Sequence, residues 1–315
     1  MYNLTSRRAF LASAAAGAGA LALPAATGGQ PAPAAAGGFR YALNAGTIRG
    51  YKLPLAEQIA LVAQAGYAGF EPWLSDLAQA AESGSLKDLA RRCADAGLTV
   101  ISAIGFASWA ANDDGARAKG LEQMRRDMDL VAQLGGTHIA ASPAGVSQAG
   151  VTLDLDRAAE RYRAVLDLGR TLGVVPQLEF WGASANLSRL DQCLYVAARA
   201  DHPDACVLAD AFHMYKGGTA PSALRLLGRS AAYSFHMNDY PAQPPREAIK
   251  DADRVWPGDG IAPLRDMLSI LAANHARPWL SVELFNPEYW KRPAEETART
   301  GLAKMKAVAE GIGAP

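Results

Sequence analysis

Short apolar segments alternate with longer amphipathic segments along most of the chain. The short segments are rich in β-branched and aromatic residues, which is typical of buried parallel strands. The longer segments space their apolar residues three and four apart and end at or near glycine, a common helix terminator. Eight strands alternating with eight helices predict an α/β fold, a (β/α)8 TIM barrel. The predicted strands lie in FRYALN, GFEPW, LTVISAIGF, THIAAS, VVPQLEF, ACVLAD, AAYSFHMND and PWLSVEL.

A doubly wound open sheet is the alternative arrangement of such elements. That fold should carry a Gly-rich phosphate loop at its first strand-to-helix turn, and the segment NAGTIRGYK does not have this form. Successive polar residues at the ends of the later strands are mostly separated in the sequence by about the length of one strand and one helix. This spacing also favours the barrel.

The first 38 residues do not follow this alternation. Ser6, Arg7 and Arg8 stand before an apolar run of small residues, the form of a twin-arginine export signal, and a flexible leader of Pro, Ala and Gly follows. The apolar run is shorter than the roughly 20 residues that span a bilayer, so no stable membrane anchor is expected. We therefore expect residues 1–38 to direct export to the periplasm or another extracytoplasmic space, and residues 39–315 to form a single barrel domain.

Charge and cysteine content narrow the function classes. Basic and acidic residues balance at 31 each, so the chain has no long-range field that would attract a polyanion, and no nucleic-acid partner is expected. The three cysteines, Cys93, Cys193 and Cys206, follow no metal-binding spacing and are expected in the core.

Four residues that bind hard divalent cations stand at the ends of four successive predicted strands: Glu179, Asp210, His236 and Glu283. Because the carboxyl ends of barrel strands converge at one face, these side chains are expected to meet there. Three carboxylates and an imidazole suit Mn²⁺, Co²⁺, Mg²⁺ or Zn²⁺ and leave positions for a substrate. The sequence therefore predicts a site for one divalent metal ion.

The motifs around these residues are LEFWG, LADAFHMYKGG, FHMNDYP, WPGDG and SVELF. With them, the chain resembles the sugar isomerase and epimerase superfamily, whose fold is the xylose isomerase-like TIM barrel, over essentially all of its length after the leader. The resemblance implies that all four donors hold the metal, with Mn²⁺ as the first choice, and that Glu179 and Glu283 form the acid/base pair. It also implies that His213 contacts a substrate oxygen.

Residues near the strand ends are further candidates for substrate contacts. Trp181 and Phe285 each follow a glutamate donor by two residues, so they are expected on the same side as the donors and could flank an apolar sugar face. Glu71, at the end of the second strand, could hydrogen-bond a substrate hydroxyl, and Trp73 and Trp109 could line the mouth of the site.

The long loop DYPAQPPREAIKDADRVWPGDG follows the histidine donor. Its Arg246 and Arg254 offer a bidentate fork to an anionic substrate group, with a solvated loop as the alternative. Asp239 follows His236 by three residues and either orients that imidazole or caps a turn.

Proton transfer between carbons next to a carbonyl requires stabilisation of an enediolate, which a divalent cation supplies, and two carboxylates can remove and return the proton. The leading hypothesis is therefore a metal-dependent isomerase or epimerase whose partner is a small sugar, keto-sugar or polyol. A lyase acting on 3-keto-glycosides or inositol derivatives is the alternative.

Two further hypotheses are less favoured. An abasic-site endonuclease with this barrel would need additional histidine ligands, which do not occur at the ends of the second and third predicted strands. A non-catalytic exported sugar binder would keep the pocket without the chemistry. Related barrels often form dimers or tetramers, so a homo-oligomer is kept as a hypothesis that no sequence segment identifies.

Overall fold

The computed structural model describes residues 38–312, so the predicted export signal lies outside the described residues and stays a prediction. Within this range, parallel strands form a barrel that helices surround. The strands are β1 (Arg40–Asn44), β2 (Gly69–Glu71), β3 (Thr99–Val100), β4 (His138–Ala141), β5 (Val175–Glu179), β6 (Cys206–Asp210), β7 (Ser234–His236) and β8 (Trp279–Val282). The α-helices are α1 (Leu55–Gln64), α2 (Leu74–Glu82), α3 (Leu86–Asp95), α4 (Asp114–Gln133), α5 (Leu155–Leu172), α6 (Leu190–Arg199), α7 (Ala211–Gly217), α8 (Leu264–Ala273) and α9 (Ala294–Ala309). Short 3-10 helices cover Ala45–Tyr51, Pro221–Leu226, Asp251–Asp253 and Tyr289–Lys291.

The strands pair in parallel in the order β3-β2-β1-β8-β7-β6-β5-β4. The first strand lies between β2 and β8, with Leu43 opposite Phe70 on one side and Val282 on the other. The two ends of this ladder are joined by a hydrogen bond of 2.9 Å from the Ala140 amide to the Ala103 carbonyl. The predicted (β/α)8 TIM barrel is confirmed.

The helices differ from the prediction in two places. Between β2 and β3 the chain forms two helices rather than one, because Gly84 adopts a left-handed φ of +71° and ends α2. After α7, the segment PSALRLLGR forms a 3-10 helix of only six residues that begins at Pro221. None of the helices in the described range is both long and apolar enough to span a bilayer.

Apolar packing closes the amino end of the barrel and leaves the carboxyl end for a site. Inside the barrel, Ala42, Ile101 and Trp279 form a small buried cluster, and the guanidinium of Arg40 stacks 3.9 Å from the ring centre of Trp279. The larger part of the core lies between the helices and the outer face of the strands. The three cysteines are all buried and free, as predicted.

Candidate metal centre and active site

Three of the four predicted donors form a buried cluster at the carboxyl end of the barrel. Asp210 and His236 are the last residues of β6 and β7, and Glu283 directly follows β8. The Nδ1 atom of His236 lies 3.3 Å from Oε2 of Glu283 and 3.6 Å from Oδ2 of Asp210. One potential ligand atom from each residue lies within 4.8 Å of the others, a spacing that suits a single ion.

The fourth predicted donor, Glu179, ends β5 and lines the adjoining cavity. It does not belong to the tight group of three. Its Oε2 atom is buried without a hydrogen-bond partner among the described residues. Burial raises the pKa of Glu179 to about 8, with a smaller contribution from Glu283 and an opposing one from His236. This carboxyl is therefore placed to accept a cation or to exchange a proton.

A buried arginine balances the charge of the carboxylates. Arg254 is only 1% exposed, and one of its Nη atoms donates to Oε2 of Glu283 at 2.8 Å and to Oδ2 of Asp210 at 3.3 Å. The other Nη donates to Asp251 and lies 3.2 Å from Nε2 of His213. Burial alone would lower the pKa of Arg254, but the surrounding carboxylates raise it, so the guanidinium stays charged.

The imidazole of His236 is oriented from within the barrel. Its Nε2 atom lies 2.9 Å from Oε2 of Glu71. The same oxygen accepts hydrogen bonds of 2.8 Å from Nδ2 of Asn44 and from Oγ of Ser281. Burial alone would lower the pKa of His236, but Glu283 and Glu71 raise it well above its usual value. Nε2 is thus held towards Glu71, and Nδ1 faces the cluster.

This arrangement corrects the expected role of Glu71. The side chain is fully buried beneath His236 and does not line the cavity, so it is not placed to bind a substrate hydroxyl. Burial raises the pKa of Glu71, but the contacts with His236, Asn44 and Ser281 outweigh it and lower the pKa below its usual value.

Asp239 holds a loop rather than the imidazole. Its carboxylate accepts hydrogen bonds of 2.7 to 3.0 Å from the amides of Tyr240, Gly258, Gly260 and Ala262. A Cβ on Gly260 would collide with this carboxylate and with the carbonyl of Tyr240, which explains the last glycine of the WPGDG motif. The prediction that Asp239 orients His236 is corrected, because its carboxylate accepts hydrogen bonds from the backbone amides that follow it.

Arg246 is also placed away from the cluster. The side chain is half exposed, lies 3.4 Å from Glu247 and borders a separate small cavity with Tyr215 and Tyr240. The expectation that Arg246 binds substrate is corrected, because Arg254 of the same loop is the arginine that lines the cavity beside the cluster.

The cluster adjoins a cavity of about 460 Å³ at the carboxyl end of the barrel. Trp181, Phe285 and Trp73 line it together with the glutamates, whereas Trp109 is fully buried and is not part of its lining, which corrects the expectation for that residue. A larger cavity of about 670 Å³ beside α1, α2 and α3 shares only Trp73 with it, and the predicted donors are not part of its lining in the described chain. The smaller cavity is therefore the candidate active site.

His213 lines this cavity from the first turn of α7. Its Nδ1 atom accepts a hydrogen bond of 3.3 Å from the amide of Gly182, while Nε2 is next to Arg254. Burial lowers the pKa of His213, and Arg254 adds to this effect against that of Asp210. A neutral imidazole at this position can contact a substrate oxygen.

The cluster has the chemistry of a divalent metal site. It combines two carboxylates with an imidazole whose Nδ1 atom is buried and has no hydrogen-bond partner in the described part of the chain. The other imidazole nitrogen is held by a carboxylate, which is the usual arrangement for a metal-bound histidine. The residues present therefore fit a divalent cation.

A model of the family described as the xylose isomerase-like TIM barrel matches residues 59–308. The chain belongs to this family.

Relatives of this xylose isomerase-like chain include enzymes of more than one reaction class. It is 28% identical to the inosose isomerase of Bacillus licheniformis over 182 residues, 57% of this chain and 65% of that protein. The chain thus spans just under two thirds of the length of that relative. It is 27% identical to the 3-dehydroshikimate dehydratase of Pseudomonas putida over 255 residues, 80% of this chain and 39% of that protein.

Solved structures of the same fold include the IOLI protein with a bound zinc atom. It matches with a TM-score of 0.81 at 22% identity, covering 87% of this chain and 99% of that one. At this identity the likeness concerns the fold.

In this xylose isomerase-like barrel, sequence reasoning missed the support of the imidazole by Asn44 and Glu71. Both residues are the last of their strands, as Asp210 and His236 are of theirs. The rule that identified the donors placed Glu71 at the site, although as a substrate contact, and could have placed Asn44 there as well.

Proposed function

We propose that the protein is a divalent-metal-dependent isomerase or epimerase that moves a proton next to the carbonyl of a sugar-like substrate. The observation that carries the proposal is the buried group of Asp210, His236 and Glu283, whose ligand atoms lie within 4.8 Å of one another beside an open cavity. The relatives support it, since one of them is an inosose isomerase.

In this proposal Asp210, His236 and Glu283 hold the cation, with Glu179 as a fourth donor. Mn²⁺ is the first choice, and the zinc atom in the IOLI structure makes Zn²⁺ the main alternative. The bound ion would supply positive charge where negative charge develops on the substrate oxygens.

Glu179 and Glu283 act as the proton-transferring pair. One glutamate removes the proton from the carbon next to the carbonyl, and the electron pair of the C–H bond moves towards the carbonyl oxygen to give an enediolate. The other glutamate returns a proton to the neighbouring carbon or to the opposite face. The two carboxyls have different surroundings, because Glu283 accepts from Arg254 while Oε2 of Glu179 has no partner in the described chain. Arg254 and His213 line the same cavity, and in this proposal they contact substrate oxygens.

A dehydratase or lyase is the second candidate. The match to the 3-dehydroshikimate dehydratase extends over 80% of this chain, more than the match to the isomerase. The first step would be the same removal of a proton. The electron pair left by the proton would then form a C=C bond with the adjacent carbon, while the leaving group departs from that carbon with the electrons of its own bond.

Proton exchange with solvent tests the proposal. The purified protein would be loaded in turn with Mn²⁺, Co²⁺, Mg²⁺ or Zn²⁺ and incubated in heavy water with keto-sugars, inososes, keto-glycosides and 3-dehydroshikimate. We expect NMR to detect deuterium at the carbon next to the carbonyl of at least one of these compounds. Label uptake without bond cleavage identifies an isomerase or epimerase, and elimination identifies the second candidate. Absence of exchange with every compound and metal would contradict both.

We also propose that the chain works outside the cytoplasm, on the basis of the twin-arginine pattern in residues 1–38. Fractionation of cells that express the full chain, with and without the substitution of Arg7 and Arg8 by Lys, tests this. The substituted chain should remain in the cytoplasm.

A further inference from the structure

Four aromatic side chains form a continuous arc around the mouth of the candidate active site. In order, the aromatic arc consists of Phe285, Trp73, Phe106 and Trp181, and all four line the same cavity. Neighbouring ring centres are 6.2 Å, 5.2 Å and 6.0 Å apart in that order. These separations lie in the range of edge-to-face aromatic contacts, so the rings support one another.

Trp73, the second ring of the arc, is held in place by residues outside the cavity. Nε1 of Trp73 donates a hydrogen bond of 3.2 Å to Asn44, and the guanidinium of Arg49 stacks 4.0 Å from the ring centre. Trp73 also pairs with Ile104, a buried apolar residue of the same cavity wall. The arc is therefore a preformed surface rather than a set of loose side chains.

Phe106 leaves this surface open to solvent. Its side chain is 50% exposed, an unusual state for a large apolar residue that lies next to other aromatics in a cavity. Substrate in the cavity would cover it.

The two ends of the cavity differ in chemistry. The ionisable lining residues are Glu179, His213, Asp251, Arg254 and Glu283, which belong to the group around the metal centre. The arc supplies the apolar part of the lining and adjoins this group at Phe285, whose ring centre lies 5.2 Å from the guanidinium of Arg254. The cavity as a whole therefore suits a molecule with a hydroxylated, carbonyl-bearing end and an apolar end. Its volume of about 460 Å³ lies in the range of pockets that enclose ligands larger than a single sugar ring.

We propose that the aromatic arc binds a flat apolar aglycone, so that the substrate is a keto-glycoside carrying such a group rather than a free keto-sugar. The inference rests on the proposed function for the chemistry at the charged end. It adds the substrate class, which neither the metal cluster nor the relatives specify.

Two probes that share one keto-sugar and differ only in the aglycone test this inference. They are 4-nitrophenyl 3-keto-β-glucoside and methyl 3-keto-β-glucoside. For the metal-loaded protein we expect the nitrophenyl compound to have a Kd about tenfold lower, because its ring buries apolar area against the arc. Kd would be measured by calorimetry and KM by deuterium exchange where exchange occurs.

Substitution of the exposed phenylalanine sharpens the test. Phe106→Ala should reduce the preference, measured as the ratio of the two Kd values, to about threefold or less, and the ratio for Phe106→Leu should lie between those of Phe106→Ala and the original protein. The matched control is Tyr195→Ala, since Tyr195 is 45% exposed on α6 and hydrogen-bonds Asp156 away from the cavity. It should keep the full preference.

The outcomes separate this inference from the proposed function. Equal Kd values for the two probes, or a preference that survives Phe106→Ala, would overturn the arc as an aglycone site even if deuterium exchange is observed. Tight binding of the nitrophenyl probe that Phe106→Ala weakens, without exchange under any metal, would support the arc and contradict the proposed chemistry.

Discussion

The two halves of the barrel contribute different things to the candidate active site. Strands β5 to β8 end in the residues that can hold a cation or exchange a proton. Strands β1 and β2 supply Asn44 and Glu71, which orient His236 from within the barrel, and the segments after β2 and β3 supply Trp73 and Phe106. One half thus carries the groups that we propose to react, and the other orients His236 and contributes to the wall of the cavity.

Residues at the last position of different strands can have different roles. Glu71 and Glu179 are both buried glutamates at the last residue of a strand. Contacts with His236 and Asn44 lower the pKa of Glu71, whereas burial raises that of Glu179 to about 8. The hydrogen-bond partners, rather than the residue type, separate a supporting carboxylate from a reacting one.

The largest effect is expected for Glu283→Gln in the reacting half. The substitution removes the carboxylate that would take part in proton transfer, so turnover should fall by about 10²- to 10⁴-fold. Rates of deuterium exchange on the best substrate check this. Glu288→Gln is the control, because Glu288 is exposed and pairs only with Lys291 in the described chain, and it should retain normal turnover. A Glu283→Gln variant of normal rate would remove Glu283 from the mechanism.

Arg254→Met should destabilise the metal-free protein strongly. It removes the guanidinium from Asp210 and Glu283 and leaves these buried carboxylates with the imidazole of His236 alone. Breaking a buried ion pair in this way typically costs about 3–5 kcal/mol. Urea unfolding with and without metal checks this, and the loss should shrink when a divalent cation neutralises the carboxylates. Arg199→Met breaks an exposed pair with Asp156 and should have a much smaller effect. Equal losses in the two variants would contradict the electrostatic role of Arg254.

In the supporting half, Glu71→Gln should weaken metal binding by about 10- to 100-fold. A glutamine can keep an oxygen at the position that accepts from Asn44, Ser281 and His236, so the substitution mainly removes the negative charge. Calorimetric titration with Mn²⁺ and Zn²⁺ gives the affinity, and urea unfolding of the metal-free variant reports whether the fold is kept.

The exposed Glu82, at the end of α2, provides the matched control. Glu82→Gln should bind metal normally. Unchanged metal affinity in Glu71→Gln would mean that the side chain positions the imidazole of His236 and that its negative charge does not strengthen metal binding.

The sequence predicts the reacting half well because a short apolar strand followed by a single polar residue places that residue at a known face. Asp210 and His236 follow this rule, and the barrel brings them within reach of Glu283. The supporting contacts are less predictable, since the partner of Glu71 is 165 residues away in the chain. That contact depends on the curvature of the sheet rather than on a local sequence pattern. The sequence likewise does not distinguish Arg246 from Arg254, because their burial depends on the folded loop. Arg246 is half exposed, whereas Arg254 is buried.

Asp239→Asn tests whether the residue supports the loop or the metal. The amide group would present N–H donors to backbone amides that now donate to the carboxylate, so the free energy of unfolding should fall by about 1–3 kcal/mol. Metal affinity should stay within about twofold of the original, because the carboxylate is engaged with the loop backbone. A loss of affinity as large as that of Glu71→Gln would restore the predicted role of Asp239 at His236.

The smallest effect is expected at the opposite end of the barrel, where His138 begins β4 and stacks on Tyr233 with 3.4 Å between ring centres. Burial lowers the pKa of His138 to about 3, compared with about 6.5 in an unfolded chain. Below pH 6.5 the unfolded state therefore binds a proton that the folded state does not. Stability contributed by the neutral imidazole is full above that pH and is lost as the pH falls towards 3.

This difference in proton binding should cost up to about 0.7 kcal/mol between pH 7 and pH 6. The free energy of unfolding of the original protein and of His138→Gln would be compared by urea titration at both pH values. The two proteins differ only at residue 138, so the difference between the two slopes isolates His138. Because the residue lies at the amino end of the barrel, metal affinity and proton exchange should be the same in both proteins. Parallel stability curves would show that His138 takes up its proton in the folded state, and that the amino end of the barrel is more hydrated than its packing indicates.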